Sequence, residues 1–447
     1  MKSRRDSFPV PGLALCAALL LAVCAAAPPA RAQNLSGLDR DRALVMLNNV
    51  KGELKKGYYD PTYHGMDVDA RFKAAEEKIK QATSLGQAFG VIAQALLDLN
   101  DSHTYFRPPA LGVRAEYGWE MQMIGDRPYV VAVEPGSDAA AKGLKPGDLI
   151  VSIDNFRPSR KELWKMEYYY NVLSPRKGLH LVVQSPGAGP RELDVAARMV
   201  TSKRSYNLTG GGSSDIDINE ILRDAEDSSK ALYHRYRRAG GVFIWKMPLF
   251  GDPENVEKMM NDEVKGASAL ILDLRGNPGG AIETLEILSG YFLDDKTKIA
   301  DRKSRKDQKP MVARRRGAPF DGKLVVLVDS ESASCSEIFA RLVQLNKRGV
   351  VIGDQSMGAV MQSLYHPLQV GQETIVFYGA SITDADVIMP DGKSLEHVGV
   401  TPDELLLPTA EDLAAQRDPV LARAAAVLGF QLDPAKAGAM FPVEWKK

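Results

Sequence analysis

Ser334 stands in the run Asp329-Ser-Glu-Ser-Ala-Ser-Cys-Ser-Glu-Ile-Phe-Ala340, a small-residue turn between the apolar strand Leu324-Val-Val-Leu-Val328 and a helix beginning near Glu337. A hydroxyl on such a turn sits at a helix N-terminus, where backbone N–H groups without helical partners can stabilise an oxyanion. The chemistry this suggests is acyl transfer. Residue type alone leaves a second reading, in which Ser332, Ser334 and Ser336 only cap the helix. A second stretch, Asp273-Leu-Arg-Gly-Asn-Pro-Gly-Gly280, also lies between a strand and a helix, and its glycines allow close approach of backbone to a ligand. It lacks the Lys-Ser/Thr of a phosphate loop and the spacing of a dinucleotide site, so its alternatives are a ligand-facing loop and a structural turn. Cys335 follows the turn position and reads as a buried small residue, not a thiol nucleophile. The scattered histidines and cysteines show no metal-ligand spacing, and neither metal nor cofactor is expected.

The elements that must position these residues change character along the chain. From Leu38 to about Leu99 the pattern is helical, with Leu44, Leu47, Val50 and Leu54, then Phe89, Ile92, Leu96 and Leu97, at helical spacing. This region ends at Asn100-Asp-Ser-His-Thr-Tyr-Phe106, ahead of the breaker Pro108-Pro109. Residues 113–200 are β-rich, with a Gly-Trp loop, short strands at Tyr129–Val133 and Leu179–Val183, and a helix expected over Arg160 to Leu173. A polar link over 201–238 contains Gly210-Gly-Gly-Ser-Ser214 and turns helical from Ile216. Strands and helices then alternate from Gly241, which argues a layered α/β core, and Glu411 to Leu428 reads as one amphipathic helix.

The chain has 447 residues, with 57 Lys and Arg balanced by 57 Asp and Glu. That length allows two or three domains with ample core, and the charge balance gives no footprint for nucleic acid. Lys2, Arg4 and Arg5 precede the apolar run 12–27, and Ala30-Arg-Ala32 follows it, the pattern of a secretory signal cleaved after Ala32. Export to the periplasm of a Gram-negative bacterium, or secretion, is the expectation. Cys16 and Cys24 leave with the signal, so the mature chain keeps only Cys335 and no intramolecular disulfide. No later segment is long and apolar enough to cross a bilayer, so no stable membrane insertion is expected after cleavage.

The segment Pro135-Gly-Ser…Gly143-Leu-Lys-Pro-Gly-Asp148 resembles the signature of bacterial PDZ domains, and Tyr117, Gly118, Trp119, Glu120 and Met121 match the position of their carboxylate-binding loop. The resemblance implies peptide capture by strand addition. Leu272-Asp-Leu-Arg-Gly-Asn-Pro-Gly-Gly280, Ser332-Ala-Ser-Cys-Ser-Glu-Ile-Phe339, Val351-Ile-Gly353 and Gly399-Val-Thr-Pro-Asp403 resemble, in order, the blocks of the carboxy-terminal processing, or tail-specific, serine peptidases. The resemblance implies that Ser334 is the nucleophile, with the N–H of Cys335 and an N–H of Gly279 as the oxyanion hole. Losing one such donor typically costs about 3 kcal/mol of transition-state stabilisation.

One departure from the serine–lysine members follows. They carry a lysine in a Gly-Lys-Gly block 25 residues past the nucleophile, and that count reaches Ala359 here. Asp101-Ser-His103 and Glu396 instead resemble the tricorn-type branch of the superfamily. That resemblance implies His103 as general base, oriented by Glu396 directly or through Ser102, with His397 and Asp391 as neighbours able to compete. The expected architecture is an α/β core of layered strands and helices, with a helical N-terminal region and an inserted β-rich PDZ-like domain. Its boundaries are a signal at 1–32, helices at 33–112, the PDZ-like domain at 113–200, the link at 201–238 and the peptidase core at 239–447. The expected activity is serine endopeptidase cleavage of a polypeptide, with recognition of its C-terminus. Ala359 leaves two alternatives, a silent peptide- or ligand-binding protein of the same fold, or a serine–lysine enzyme whose lysine has been replaced. The N-terminal helices could mediate homo-oligomerisation.

Overall fold

In the computed structural model, the structure describes residues 35–110, 112–201, 234–239, 241–372 and 374–445. The expected signal at 1–32 and the expected helix from Ile216 lie outside the described residues.

The core sheet has six strands in the order Glu404–Leu405, Val350–Gly353, Lys323–Val328, Ala269–Asp273, Val242–Lys246 and Arg235–Ala239. All pair in parallel except the edge strand Arg235–Ala239, which runs antiparallel to Val242–Lys246. The continuous apolar runs of these strands are those of a sheet buried on both faces. Phe243, Trp245, Leu270, Leu272, Val326 and Val328 pack on one face against the helices Ile282–Phe292 and Cys335–Leu345. Ile244, Ile271, Val325 and Leu327 pack on the other against Val420, Leu421 and Ala424. Successive residues alternate between faces, so every strand serves two cores. Because the strands are parallel, their C-terminal ends share one rim, and both the glycine loop and the Ser334 turn leave from it.

A second sheet joins the N-terminal helices to this core. Its centre is a long hairpin, Met361–Val370 with Val376–Ile388, and both Tyr105–Arg107 and Lys298–Lys303 pair antiparallel with the second strand, Val376–Ile388, at successive stretches of it. Neither long strand of the hairpin is among the sequence expectations. The helices Gly37–Gly57, Val68–Lys80 and Leu85–Leu97 are started by Ser36, Asp67 and Ser84, each accepting a first-turn N–H. Their apolar faces bury Val50, Leu54, Phe72, Phe89 and Leu96 against Tyr378, Ala380 and Ile382 of the hairpin.

Residues 113–200 form an inserted unit with its own core around Val130, Ile150, Leu181 and Val183. Its five strands, Trp119–Ile124, Arg127–Val133, Leu149–Ile153, Gly178–Gln184 and Pro190–Ala196, make an antiparallel sheet in that order. The entry strand Val113–Glu116 pairs with the exit strand Arg198–Thr201, closing the insertion at its base. The helix expected to Leu173 runs over Leu163–Tyr168 and widens into a π turn over Tyr169–Leu173.

The amphipathic pattern from Glu411 to Leu428 is two helices, Ala410–Ala414 and Pro419–Val427. Asp418 accepts the N–H of Leu421 and Pro419 occupies the first helical position, so a new helix must start there.

Candidate active site

Ser334 is the N-terminal residue of the helix Cys335–Leu345, and its backbone has φ 55° and ψ −120°. That region is ordinarily left to glycine, and holding a serine there costs roughly 1–3 kcal/mol unless the surroundings impose it. They do. The N–H of Ser334 donates to the Ala359 carbonyl at 2.9 Å and to Glu337 Oε2 at 3.0 Å. The two flanking serines are occupied elsewhere. Ser332 Oγ donates to the Leu274 carbonyl at 2.8 Å and Ser336 Oγ to the Asn277 carbonyl at 2.9 Å, and both residues are fully buried. They fasten the turn to the glycine loop, and Ser334 is the partly accessible one of the three.

The glycine loop packs directly on the turn. A Cβ on Gly279 would lie 2.5 Å from Ser334 Cβ and 2.9 Å from Cys335 N, and its φ of +95° also demands glycine. The N–H of Gly279 donates to Asn277 Oδ1 at 2.8 Å. The N–H of Cys335 has no partner among the described residues and stands free at the head of the helix. Cys335 is buried, its thiol donates to the Gly280 carbonyl, and burial pushes its pKa up to about 12, which leaves it protonated.

Ser102, His103 and Glu396 come together. Ser102 N donates to Glu396 Oε1 at 2.9 Å, Ser102 Oγ donates to Glu396 Oε2 at 2.9 Å, and Ser102 Oγ lies 2.8 Å from His103 Nδ1. A hydroxyl has one proton. With Glu396 ionised and receiving it, Ser102 Oγ accepts from His103 Nδ1–H, which leaves Nε2 as the basic nitrogen. Burial lowers the pKa of His103 against the opposing charge of Asp101, so the imidazole is neutral near pH 7. Burial raises Glu396 against its hydrogen bonds from Ser102 and Val360. Asp101 is buried and fixes this loop by accepting from His103 N at 2.8 Å, Thr104 N at 3.1 Å and Thr383 Oγ1 at 2.7 Å. Asp101 enters the sequence reading only as part of the Asp101-Ser-His103 run, without a role of its own, and Thr383 is not singled out there. Thr383 lies on an unexpected strand, but Asp101, two residues before a histidine, carries a loop-capping signal that could have found it.

One segment connects the relay to the turn. Val360 N donates to Glu396 Oε2 at 2.8 Å, and the preceding residue, Ala359, supplies the carbonyl that holds Ser334 N. No hydrogen bond joins His103 to Ser334 itself. Of the competing neighbours, His397 Nε2 is 3.5 Å from Glu396 Oε1 and bonds the Asn100 carbonyl at 2.8 Å, whereas Asp391 pairs with Arg341 at 2.7 Å.

Tyr117, Gly118, Trp119, Glu120 and Met121 line a cavity of about 590 Å³ in the inserted unit, facing Met166, Glu167 and Tyr170 of its helix. The strand they begin is tied to the residues just before Ser334. Gln122 Nε2 donates to Asp329 Oδ2 and Ser330 Oγ to the Met123 carbonyl, each at 2.6 Å. No helix among the described residues is long and apolar enough to cross a membrane, and none of them forms a three-residue His, Cys, Asp or Glu group suited to a metal ion.

Residues 241–406 match the model of Peptidase family S41. The "Carboxyl-terminal-processing protease" of Synechocystis sp. is 32% identical over 280 residues, covering 62% of this chain and 58% of that protein. The "Tail-specific protease" of Haemophilus influenzae is 26% identical over 248 residues, or 54% of this chain, and the match spans one third (33%) of the Haemophilus protein. Among solved structures, mature CPAF superposes with a TM-score of 0.62 at 16% identity, covering 85% of this chain and 95% of that one, a likeness of fold. The glycine loop and the Ser334 turn both fall within the core residues that match Peptidase family S41.

Proposed function

We propose that the protein is an exported serine endopeptidase that cleaves polypeptides through an acyl-enzyme on Ser334. The observation that carries this reading is the Glu396–Ser102–His103 chain of hydrogen bonds, anchored one residue from the carbonyl that holds Ser334. In the proposed cycle His103 Nε2 takes the Ser334 proton as Oγ attacks the peptide carbonyl, and Glu396 stabilises the imidazolium through Ser102. The imidazolium then protonates the leaving amine, and water, deprotonated by the same nitrogen, releases the acyl group. The free N–H of Cys335 faces the developing oxyanion. Gly279 supplies the second donor when substrate displaces its N–H from Asn277 Oδ1. No metal or cofactor takes part.

In the same reading, residues 113–200 are a PDZ-like domain. Their cavity, lined by Tyr117 to Met121, takes an extended peptide as an added strand and its terminal carboxylate on the Gly118–Trp119 backbone. The ties from Gln122 to Asp329 and from Ser330 to Met123 keep that strand in register with the turn.

Ala359 favours a second reading, a silent peptide-binding protein, because it stands where serine–lysine relatives carry their base. A fluorophosphonate probe and a peptidase assay separate the two. Labelling that is lost in Ser334→Ala, with turnover lost in both Ser334→Ala and His103→Ala, supports the enzyme. An unlabelled wild-type protein that binds peptide supports the silent reading, and wild-type turnover in both variants refutes the machinery.

A further inference from the structure

We propose that Glu337 is the positioning residue of Ser334: its carboxylate, buried beneath the turn, sets the strained serine backbone and the 356–359 loop in one geometry. The proposal rests on the reading of Ser334 as nucleophile. Glu337 is fully buried, on the first turn of the helix that Ser334 begins. Four donors converge on it, Ser356 Oγ at 2.6 Å, Gly358 N at 2.7 Å, Ala359 N at 3.0 Å and Ser334 N at 3.0 Å.

An ordinary helix-capping carboxylate would satisfy the N–H groups of its own first turn. Three of these four donors belong instead to a loop 19 to 22 residues further on. Among the described residues no cation pairs with Glu337, so the interior carboxylate is held by hydrogen bonds alone. Burial pushes its acid up to about 7 in spite of those donors. Such a group costs stability, and a cap for this helix could have been built without it.

Its position gives the arrangement a use. The φ of 55° at Ser334 persists only if neighbouring contacts impose it, and Glu337 is the side chain that bonds the serine's own N–H. The same carboxylate holds the N–H of Ala359, whose carbonyl bonds Ser334 N, so three residues close a small ring of hydrogen bonds around the turn. The next residue, Val360, holds Glu396. Glu337 therefore fixes the spacing between the nucleophile and the relay that serves it.

The test is the variant Glu337→Gln, which keeps the shape but turns an N–H donor toward backbone N–H groups. The expected result is a fall of about 10- to 100-fold in kcat and in the fluorophosphonate labelling rate, the scale of a reacting group displaced by about 1 Å. KM stays within about twofold and unfolding remains cooperative, a split that general loosening of the fold would not give. Ser356→Ala, which removes one of the four donors, gives a smaller loss of the same kind and decides the matter if the glutamine variant does not fold. Labelling of a folded Glu337→Gln or Ser356→Ala protein at the wild-type rate overturns the proposal, as does a kcat loss matched by an equal rise in KM. An unlabelled wild-type protein would instead refute the reading of Ser334 on which it rests.

Discussion

The carbonyl of Ala359 accepts the N–H of Ser334 at 2.9 Å, so the residue at the expected lysine position touches the serine through its backbone. Ala359 is buried, and its own N–H is held by Glu337. The position thus serves the geometry of the turn without contributing a base.

Restoring a lysine there is expected to harm the protein. Ala359→Lys introduces an ammonium into a packed site with no matching carboxylate to spare, a change expected to lower stability by about 3 kcal/mol or more. It should not restore turnover to a His103→Ala background. Chemical denaturation and a peptidase assay check both parts, and a double variant that cleaves at the wild-type rate would remove His103 from its proposed role.

Ser102→Ala deletes the hydroxyl between Glu396 and His103 while leaving the bond from residue 102 N to Glu396 Oε1 in place. The imidazole loses the partner that fixes its tautomer. We expect kcat to fall by about 10- to 100-fold with KM nearly unchanged, on the scale of lost general-base function. Steady-state kinetics on one peptide decides it, and a variant with unaltered kcat would show that the relay does not run through Ser102.

The pH dependence follows from two opposite shifts. Burial lowers His103, so the basic form that would take the serine proton in the proposed cycle survives to lower pH. Burial raises Glu396, so the ionised form that receives the Ser102 proton requires higher pH than an ordinary carboxylate. Both requirements are met on the alkaline side. kcat/KM should therefore rise with pH along an acid limb, with the histidine titrating below its ordinary value and the carboxylate above its own. A lysine base would place that limb at about 7–8.

At Gly279 an added methyl group has nowhere to go. Gly279→Ala would place Cβ 2.5 Å from Ser334 Cβ, at a φ of +95°. A destabilisation of about 1–3 kcal/mol is expected, together with loss of fluorophosphonate labelling as the turn is pushed away from the loop. Labelling at the wild-type rate would show that the loop and the turn are not coupled.

Acid sensitivity should centre on Asp273. Burial pushes this carboxyl up, but Arg275 and Lys246 outweigh it and hold it well below the usual carboxylate range. Arg275 bridges Asp273 and Asp418, at 2.8 and 2.7 Å, across the fully buried end of a core strand. Because the folded value is depressed, the contribution is present above the unfolded value and lost as pH falls toward the folded one. Asp273→Asn should cost about 3–5 kcal/mol at neutral pH, by leaving Arg275 short of a partner. It should also flatten the fall of stability below about pH 4, measured by denaturant titration.

The core was legible because parallel strands buried on both faces leave uninterrupted apolar runs, as in Leu324–Val328 and Ala269–Asp273. The N-terminal helices were legible through their 3.6-residue spacing. The long hairpin was not. Met361–Val370 is largely half-buried or exposed and contains Pro367, while Val376–Ile388 is interrupted by Gly379 and two aspartates, Asp384 and Asp386, so neither reads as an uninterrupted apolar strand. The break at Pro419 lay in plain view but was masked by apolar residues that keep helical phase across it. Within the site, Ser334 and the glycine loop announced themselves by type and spacing. The grip of Glu337 did not, because a glutamate three residues into a helix looks like an ordinary cap until the 356–359 loop is seen folded onto it.

Ser102 and Glu396 stand 294 residues apart in sequence yet share a carboxylate and a hydroxyl. The turn and the glycine loop can assemble inside the core alone, whereas the histidine arrives with the first hundred residues. Closing so long a loop is entropically costly and slow compared with forming local turns. In the proposed enzyme, a chain still threading or refolding carries a nucleophile without its base, which protects it and its neighbours from premature cleavage. Turnover would then report the docking of the N-terminal helices, and under mild denaturation it should fade before the core sheet melts.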